Sequence, residues 1–211
     1  SQDNKKLTHY SHQSISSADK NEIMKVFDSE YLTTGDKVEE FESSISQYVK
    51  AEHVLAVSSG TAALHLAYKL LGVDQTKTVW TSPISFVATA NMALHVGSKI
   101  DFVDIDDETL NLSPDQLAYK LKNTKCKKDM PDVITVVHFA GNPCDMKKIF
   151  SLSQEYNFKI IEDASHALGA QYQNGYIGSN FYSSAATFSF HPVKMITTGE
   201  GGAITVQNVL G

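Results

Sequence analysis

Apolar positions along the chain alternate between the spacing of amphipathic helices and short unbroken runs typical of buried strands. Ile23, Val26 and Phe27 give helical spacing, and a second amphipathic helix is predicted over 38–49. The apolar or β-branched runs predict seven strands, at 53–57, 78–81, 100–103, 133–137, 159–162, 185–189 and 202–206.

Helices are predicted between these strands, including 85–95 and 145–156. Ser113 is a good N-cap, followed by Pro114 in the first turn and Gln116 in the position that closes a capping box. Strands that alternate with helices predict a three-layer α/β/α domain with a mostly parallel, mixed seven-stranded sheet. Ligands of such sheets bind at the carboxyl ends of the strands.

No convincing linker interrupts the pattern, so one domain over 1–211 is expected, with a polar arm at 1–14. The formal charge of −6 argues against a nucleic-acid partner, whose phosphates need a basic face. All 18 basic residues are lysines. Any phosphate would therefore have to be held by backbone N–H groups, hydroxyls or lysine rather than by arginine.

The cysteines and the apolar runs bear on localisation. Cys126 and Cys144 form neither metal-ligand spacing nor a disulfide framework, so two reduced thiols in a cytoplasmic protein and no metal site are expected. No apolar run approaches membrane-spanning length, and the polar start lacks the apolar centre of a signal peptide. No membrane partner is therefore expected.

Two candidate ligand-binding segments follow the first two predicted strands. Gly60, Thr61 and Ala62 lie in a small-residue turn that opens a helix, where exposed N–H groups favour an anion. Phe86 follows the second strand and could lie flat on an aromatic ligand. Taken singly, an ordinary strand-to-helix turn and a core phenylalanine are the better explanations of these residues.

Two further segments carry ionisable side chains. Asp163 follows an apolar strand, where a carboxylate needs a partner, although it could also cap a helix. His166 is three residues further on and could reach the same ligand or serve the structure alone. Lys194 lies in a Gly- and Thr-rich stretch between strands, five residues after Ser189. Its surroundings favour an amine nucleophile, although most loop lysines are simply exposed.

Together these residues form an anion cradle, a stacking ring, a carboxylate for a ring nitrogen and a nucleophilic lysine. That combination is what pyridoxal 5′-phosphate (PLP) requires of a protein. In this interpretation Asp163 keeps the pyridine nitrogen protonated, Phe86 stacks on the ring and Lys194 supplies the Schiff-base amine.

The sequence also resembles the DegT/StrS family of sugar aminotransferases, which share the aspartate-aminotransferase-like fold. The matching segments are YLTTGDKVEEFE (31–42), SSGTAALHLA (58–67), TSPISFVATANM (81–92), EDASHALGA (162–170) and FSFHPVKMITTGEGGA (188–203). Within the family, the third segment and SHALGAQYQN (165–174) are especially similar to members that aminate UDP-4-keto-6-deoxy-N-acetyl-altrosamine for pseudaminic acid, a cell-surface sugar.

The resemblance implies a role for each candidate residue. Lys194 and Asp163 would be catalytic, and Phe86 would stack on PLP. His166 would lie near the ring hydroxyl. The phosphate would be held by a set of small residues in two segments, namely Gly60, Thr61, Ala62 and Ser189. Glutamate would donate the amino group to the 4-keto carbon of a nucleotide-linked 6-deoxy sugar.

Family members are longer than this chain, carry a C-terminal small domain and form homodimers whose subunits complete each other's sites. The resemblance therefore implies a PLP-binding large domain without the small domain, and leaves open a non-catalytic PLP-binding remnant. A PLP-dependent sugar dehydratase is another alternative, but those relatives carry histidine at the position of Lys194. A plain nucleotide-binding domain lacks its G-x-G-x-x-G fingerprint here.

Overall fold

A computed structural model of the chain describes residues 11–173 and 175–207, so part of the polar arm predicted at 1–14 lies outside the described residues. Six α-helices are numbered in chain order. They are α1 (Ser17–Phe27), α2 (Asp36–Val49), α3 (Gly60–Leu70), α4 (Ala88–His95), α5 (Pro114–Asn123) and α6 (Met146–Tyr156). Short 3₁₀ turns occupy Lys127–Asp129 and Phe139–Gly141.

The strands form one large sheet and one small hairpin. They are β1 (His53–Val57), β2 (Thr78–Thr81), β3 (Lys99–Phe102), β4 (Val133–Val137), β5 (Lys159–Asp163), β6 (Gln171–Tyr172), β7 (Gly175–Tyr176), β8 (Ala185–Ser189) and β9 (Gly202–Val206). The large sheet has the order β1-β9-β8-β5-β4-β2-β3, and β6 pairs with β7. The predicted mixed seven-stranded sheet is confirmed.

The direction of β9 determines which strand ends meet. Strands β3, β2, β4, β5 and β8 run parallel, whereas β9 is antiparallel to both β8 and β1. Strand β1 therefore points the same way as β8, and its carboxyl end reaches the same edge of the sheet. The turn that follows β1 is thus brought to the edge where the parallel strands end.

Helices cover both faces of the sheet. On one face α3 and α4 bury Leu64, Ala67 and Ala93 against the strands. On the other face α5 and α6 bury Leu117 and Ile149. A third cluster packs α2 against the segment that follows β5, beside the end of β8. Burial of these apolar side chains stabilises the three layers.

Helix α1 confirms the helical spacing of Ile23, Val26 and Phe27 but leaves these residues outside the core. Ser16 caps it, and a capping box with Asp19 accounts for its start. None of its residues is buried, and Phe27 is 65% exposed. Among the helices of the described ranges, none combines the length and apolar character that a membrane crossing needs.

Three local differences bear on the site. Helix α4 begins at Ala88 rather than at Ser85, so Phe86 precedes it. Asp163 is the last residue of β5 rather than the first residue after it. No strand was predicted at the β6–β7 hairpin, because two-residue strands are too short to show alternation.

Candidate active site

A cavity of about 360 Å³ opens at the carboxyl edge of the sheet. That volume is in the range of small-molecule sites. Seven predicted site residues line it, namely Gly60, Thr61, Phe86, Asp163, His166, Ser189 and Lys194. They come from the last residues of β5 and β8 and from the segments that follow β1, β2, β5 and β8, and the direction of β9 brings all of these to one edge. Ala62 was also predicted but does not line this cavity.

The anion-binding end of the cavity is the N-terminus of α3. Ser59 is the N-cap, and its Oγ accepts a hydrogen bond of 3.1 Å from the N–H of Ala62. This bond explains why the N–H of Ala62 is not offered to a ligand. The N–H groups of Gly60 and Thr61 have no intrahelical acceptor, because they belong to the first turn. They lie at the positive end of the helix dipole.

Close packing beneath this helix start requires glycine at two positions. A Cβ on Gly60 would lie 2.8 Å from the Cβ of Ser189, closer than side chains tolerate. A Cβ on Gly202 would lie 2.4 Å from the backbone of Ser59. Glycine is therefore required at position 60 because no side chain fits there. The missing Cβ lets the start of α3 approach the end of β8.

The Asp163 carboxylate forms the buried polar side of the cavity. Its side chain is only 4% exposed. Oδ1 accepts from the N–H and the hydroxyl of Ser165, at 3.2 and 2.7 Å. Oδ2 accepts from the Thr89 hydroxyl at 2.7 Å. Within residues 11–173 and 175–207, it makes no ion pair with a lysine or histidine, and a buried carboxylate in that state favours a cationic ligand.

Phe86 gives the cavity an apolar wall. It is 71% exposed, so it is not the core phenylalanine that a helix start could have explained. An aromatic side chain held open beside a buried carboxylate is suited to a flat heteroaromatic ligand. Val137, at the end of β4, adds a further apolar surface.

The amine and the imidazole respond to the same surroundings. Burial lowers the pKa of the Lys194 ammonium from its ordinary value, while the Asp163 carboxylate opposes part of that shift. Burial also lowers the pKa of His166, with the charge of Lys194 acting in the same direction and Asp163 opposing. Both groups therefore hold more of their neutral form near neutral pH than freely exposed residues would.

The predictions from sequence missed Thr89, Ser165 and Ser85. Ser165 and Ser85 line the cavity, and Thr89 is fully buried behind it. The spacing of Asp163 and Ser165 is that of an Asx turn, which could have revealed Ser165. Thr89 has no such signal, because a threonine among the small residues of a helix start looks like ordinary packing.

The arrangement thus offers donors for an anion at one end, an aromatic wall, a buried carboxylate and a half-buried amine of lowered pKa. These features define a site for a phosphorylated heteroaromatic cofactor and amine chemistry. Residues 13–209 match the profile of the DegT/DnrJ/EryC1/StrS aminotransferase family. The chain belongs to this family.

Individual relatives agree with this assignment. The UDP-4-amino-4,6-dideoxy-N-acetyl-beta-L-altrosamine transaminase of Campylobacter jejuni (serotype O:23/36, strain 81-176) is 43% identical over 201 residues, covering 94% of this chain and 51% of the relative. The structure of Helicobacter pylori PseC, an aminotransferase involved in the biosynthesis of pseudoaminic acid, superposes with a TM-score of 0.87 at 31% identity, covering 97% of this chain and 53% of PseC.

A Streptococcus pneumoniae protein assigned as a sugar aminotransferase, solved in its PLP form, gives a TM-score of 0.85 at 29% identity. The match covers 95% of this chain and 53% of that protein. The chain spans about half the length of the curated relatives it matches.

Proposed function

We propose that this chain is the PLP-binding large domain of a sugar-nucleotide aminotransferase. The observation that carries the proposal is the convergence of Asp163, Lys194 and the N-terminus of α3 on one cavity. A carboxylate, an amine and an anion cradle placed together in this way match the ring nitrogen, the aldehyde and the phosphate of PLP.

The phosphate would lie at the α3 N-terminus, held by the N–H groups of Gly60 and Thr61 and by the hydroxyls of Thr61 and Ser189. The fit is supported by the close approach of Gly60 to Ser189, which a Cβ on Gly60 would prevent. Since the chain has no arginine, this cradle would bind the phosphate by helix dipole, backbone and hydroxyl groups alone.

The ring would lie against Phe86, with its nitrogen toward Asp163. The buried carboxylate makes no ion pair with described lysines or histidines, and a protonated ring nitrogen would supply that partner. His166 lines the same cavity and would face the ring hydroxyl. Bound PLP would supply an electron sink for bond changes at the carbon that carries the amino group.

Lys194 would attach the cofactor covalently by condensation of its Nζ amine with the aldehyde, releasing water, and would afterwards carry a proton to and from the reacting carbon. Its lowered pKa supports both roles, because the neutral amine is the nucleophile and the general base. In the overall reaction glutamate and a 4-keto sugar would exchange amino and oxo groups, giving 2-oxoglutarate and a 4-amino sugar.

The relatives support the choice of substrate. The C. jejuni transaminase and H. pylori PseC share 43% and 31% identity with this chain. We therefore infer a UDP-linked 4-keto-6-deoxy-N-acetyl sugar of the altrosamine type as the amino acceptor, in surface-sugar biosynthesis. A homodimer is also part of the proposal. The unpaired Cys126 and Cys144 fit the reducing conditions of the cytoplasm.

Two measurements on the 211-residue chain test the proposal. PLP added to the protein should give the visible absorbance of a lysine-linked cofactor, and glutamate should bleach it while 2-oxoglutarate appears. A UDP-linked 4-keto-6-deoxy-N-acetyl sugar should then restore the absorbance and yield a 4-amino sugar, detected by mass spectrometry. Binding of PLP without either half-reaction would favour a non-catalytic PLP-binding module.

Gly60→Ala is expected to weaken PLP binding by roughly tenfold or more, the scale of losing one or two hydrogen bonds to a charged group. The new Cβ would fall 2.8 Å from the Cβ of Ser189 and push the helix start away from the phosphate. The dissociation constant is measured by titration with PLP. Gly175→Ala is the matched control, because its nearest neighbour would be 3.8 Å away. Equal affinities in the two variants would contradict the proposed cradle.

A further inference from the structure

A short series of hydroxyl groups leads from the cavity wall to the Asp163 carboxylate. Ser85 lines the cavity, and its Oγ lies 2.5 Å from the Oγ1 of Thr89. The Thr89 hydroxyl in turn lies 2.7 Å from Oδ2 of Asp163. Thr89 is fully buried, so no solvent can replace it as a hydrogen-bond donor.

The direction of each bond follows from the donors available. An ionised carboxylate can only accept hydrogen bonds, so the Thr89 hydroxyl is the donor to Asp163. In the hydrogen bond between Ser85 and Thr89, the donor must then be Ser85. Thr89 is therefore committed as a donor to Oδ2, while Ser165 serves Oδ1. Each carboxylate oxygen has its own protein donor.

The backbone of Thr89 is held as firmly as its side chain. The buried Tyr68 hydroxyl donates to the Thr89 carbonyl at 2.8 Å. The Tyr68 hydroxyl hydrogen is committed to that bond. In the 2.8 Å hydrogen bond between Tyr68 and Thr135, the donor must therefore be Thr135. Tyr68 of α3, itself held by Thr135 of β4, thus fixes the position of Thr89 relative to Asp163. Such fully satisfied buried networks restrict a side chain to one position.

We propose that Thr89 is a positioning residue, which fixes the orientation of the Asp163 carboxylate toward the place that the ring nitrogen of the cofactor would occupy. This inference rests on the proposed function, because it concerns how Asp163 would meet PLP. It adds a residue on α4 that is not in the cavity wall and would not touch the cofactor.

The test compares PLP affinity in the wild-type chain, Thr89→Val and Thr89→Ser. The valine variant keeps the shape and loses the donor. It is expected to bind PLP roughly tenfold or more weakly. The serine variant keeps the donor and should restore the affinity.

The matched control is Thr205→Val. It removes another buried threonine hydroxyl, which lies away from the cavity. That hydroxyl donates a 2.8 Å hydrogen bond to the Gly178 carbonyl. Thermal unfolding without PLP measures the structural cost in both variants. PLP affinity that stays intact in Thr89→Val, with a loss of stability equal to that of the control, would overturn the inference.

Two other outcomes are separable. If the wild-type chain does not bind PLP covalently, the proposed function fails and this inference fails with it. If the wild type binds PLP and Thr89→Val behaves like the wild type, only the role of Thr89 is lost. Should Thr89→Val not fold, Thr89→Cys replaces it, because a thiol keeps the volume but is a weak donor. The same direction of change is expected.

Discussion

Lys194→Ala is expected to abolish covalent attachment of PLP and, with it, transamination. The variant removes the amine that would hold the cofactor and also the group that would move the proton, a loss of roughly 10²–10⁴-fold from proton transfer alone. Borohydride reduction of the PLP-treated wild type should fix the cofactor on the peptide that contains Lys194. Peptide mass spectrometry of the alanine variant should find no such adduct.

Lys159→Ala is the matched control, because Lys159 is an exposed lysine at the other end of β5 from the cavity. It should leave both the adduct and its site unchanged. Recovery of the adduct on a different lysine in the wild type would remove Lys194 from the proposed role.

The same assay carries a pH dependence. Burial lowers the pKa of Lys194, so its neutral amine becomes available at lower pH than that of an ordinary lysine. The rate of PLP capture should therefore rise with pH and level off below the usual lysine range. Capture that increases only as an exposed lysine deprotonates would contradict the buried setting of this amine.

Asp163→Asn is expected to have the second largest effect. The amide keeps the shape of the side chain but removes the charge that would keep the ring nitrogen protonated. Loss of one partner from a buried charge pair costs roughly 2–5 kcal/mol, which corresponds to a fall of about 30- to 4,000-fold in the half-reaction with glutamate. Single-turnover absorbance of the PLP-loaded variant measures this rate.

Asp115→Asn serves as the comparison, since Asp115 is an exposed acid on the first turn of α5. PLP should still become attached to Lys194 in Asp163→Asn, because the amine is untouched. A glutamate half-reaction as fast as that of the comparison variant would show that the ring nitrogen does not depend on this carboxylate.

The sheet could be read from the sequence because its strands are short apolar runs separated by helices. The seven strands were predicted within one residue at each end. Nothing in the sequence indicated that β9 runs in the opposite direction. Strand direction depends on which neighbours pair, and period-two or apolar patterns carry no information about that. The exposed face of α1 escaped prediction for a similar reason, since an apolar stripe does not specify what covers it.

The side chains of the site also divide into those that the sequence pattern identifies and those that depend on the tertiary fold. Asp163 and Lys194 stood out because an ionisable residue beside an apolar strand needs an explanation. Thr89 did not, because its importance comes from a hydroxyl 2.7 Å from a carboxylate that lies 74 positions further along the chain. Ala62 shows a different case, since its N–H donates to Ser59 within the same turn. The bond from Thr89 to Asp163 depends on the tertiary fold, whereas the bond from Ala62 to Ser59 is a local N-cap bond.

The reversed strand β9 also bears on the order in which the chain folds. Gly202 pairs with Val57 and lies directly under Ser59, so the helix start lacks part of its support until the final described strand has been inserted. A nascent chain that has emerged only as far as β8 would carry Asp163 but an incompletely supported cradle. Cofactor uptake should therefore follow the synthesis of this region. The insertion of β9, a strand that is made late, then determines when the fold can bind the cofactor.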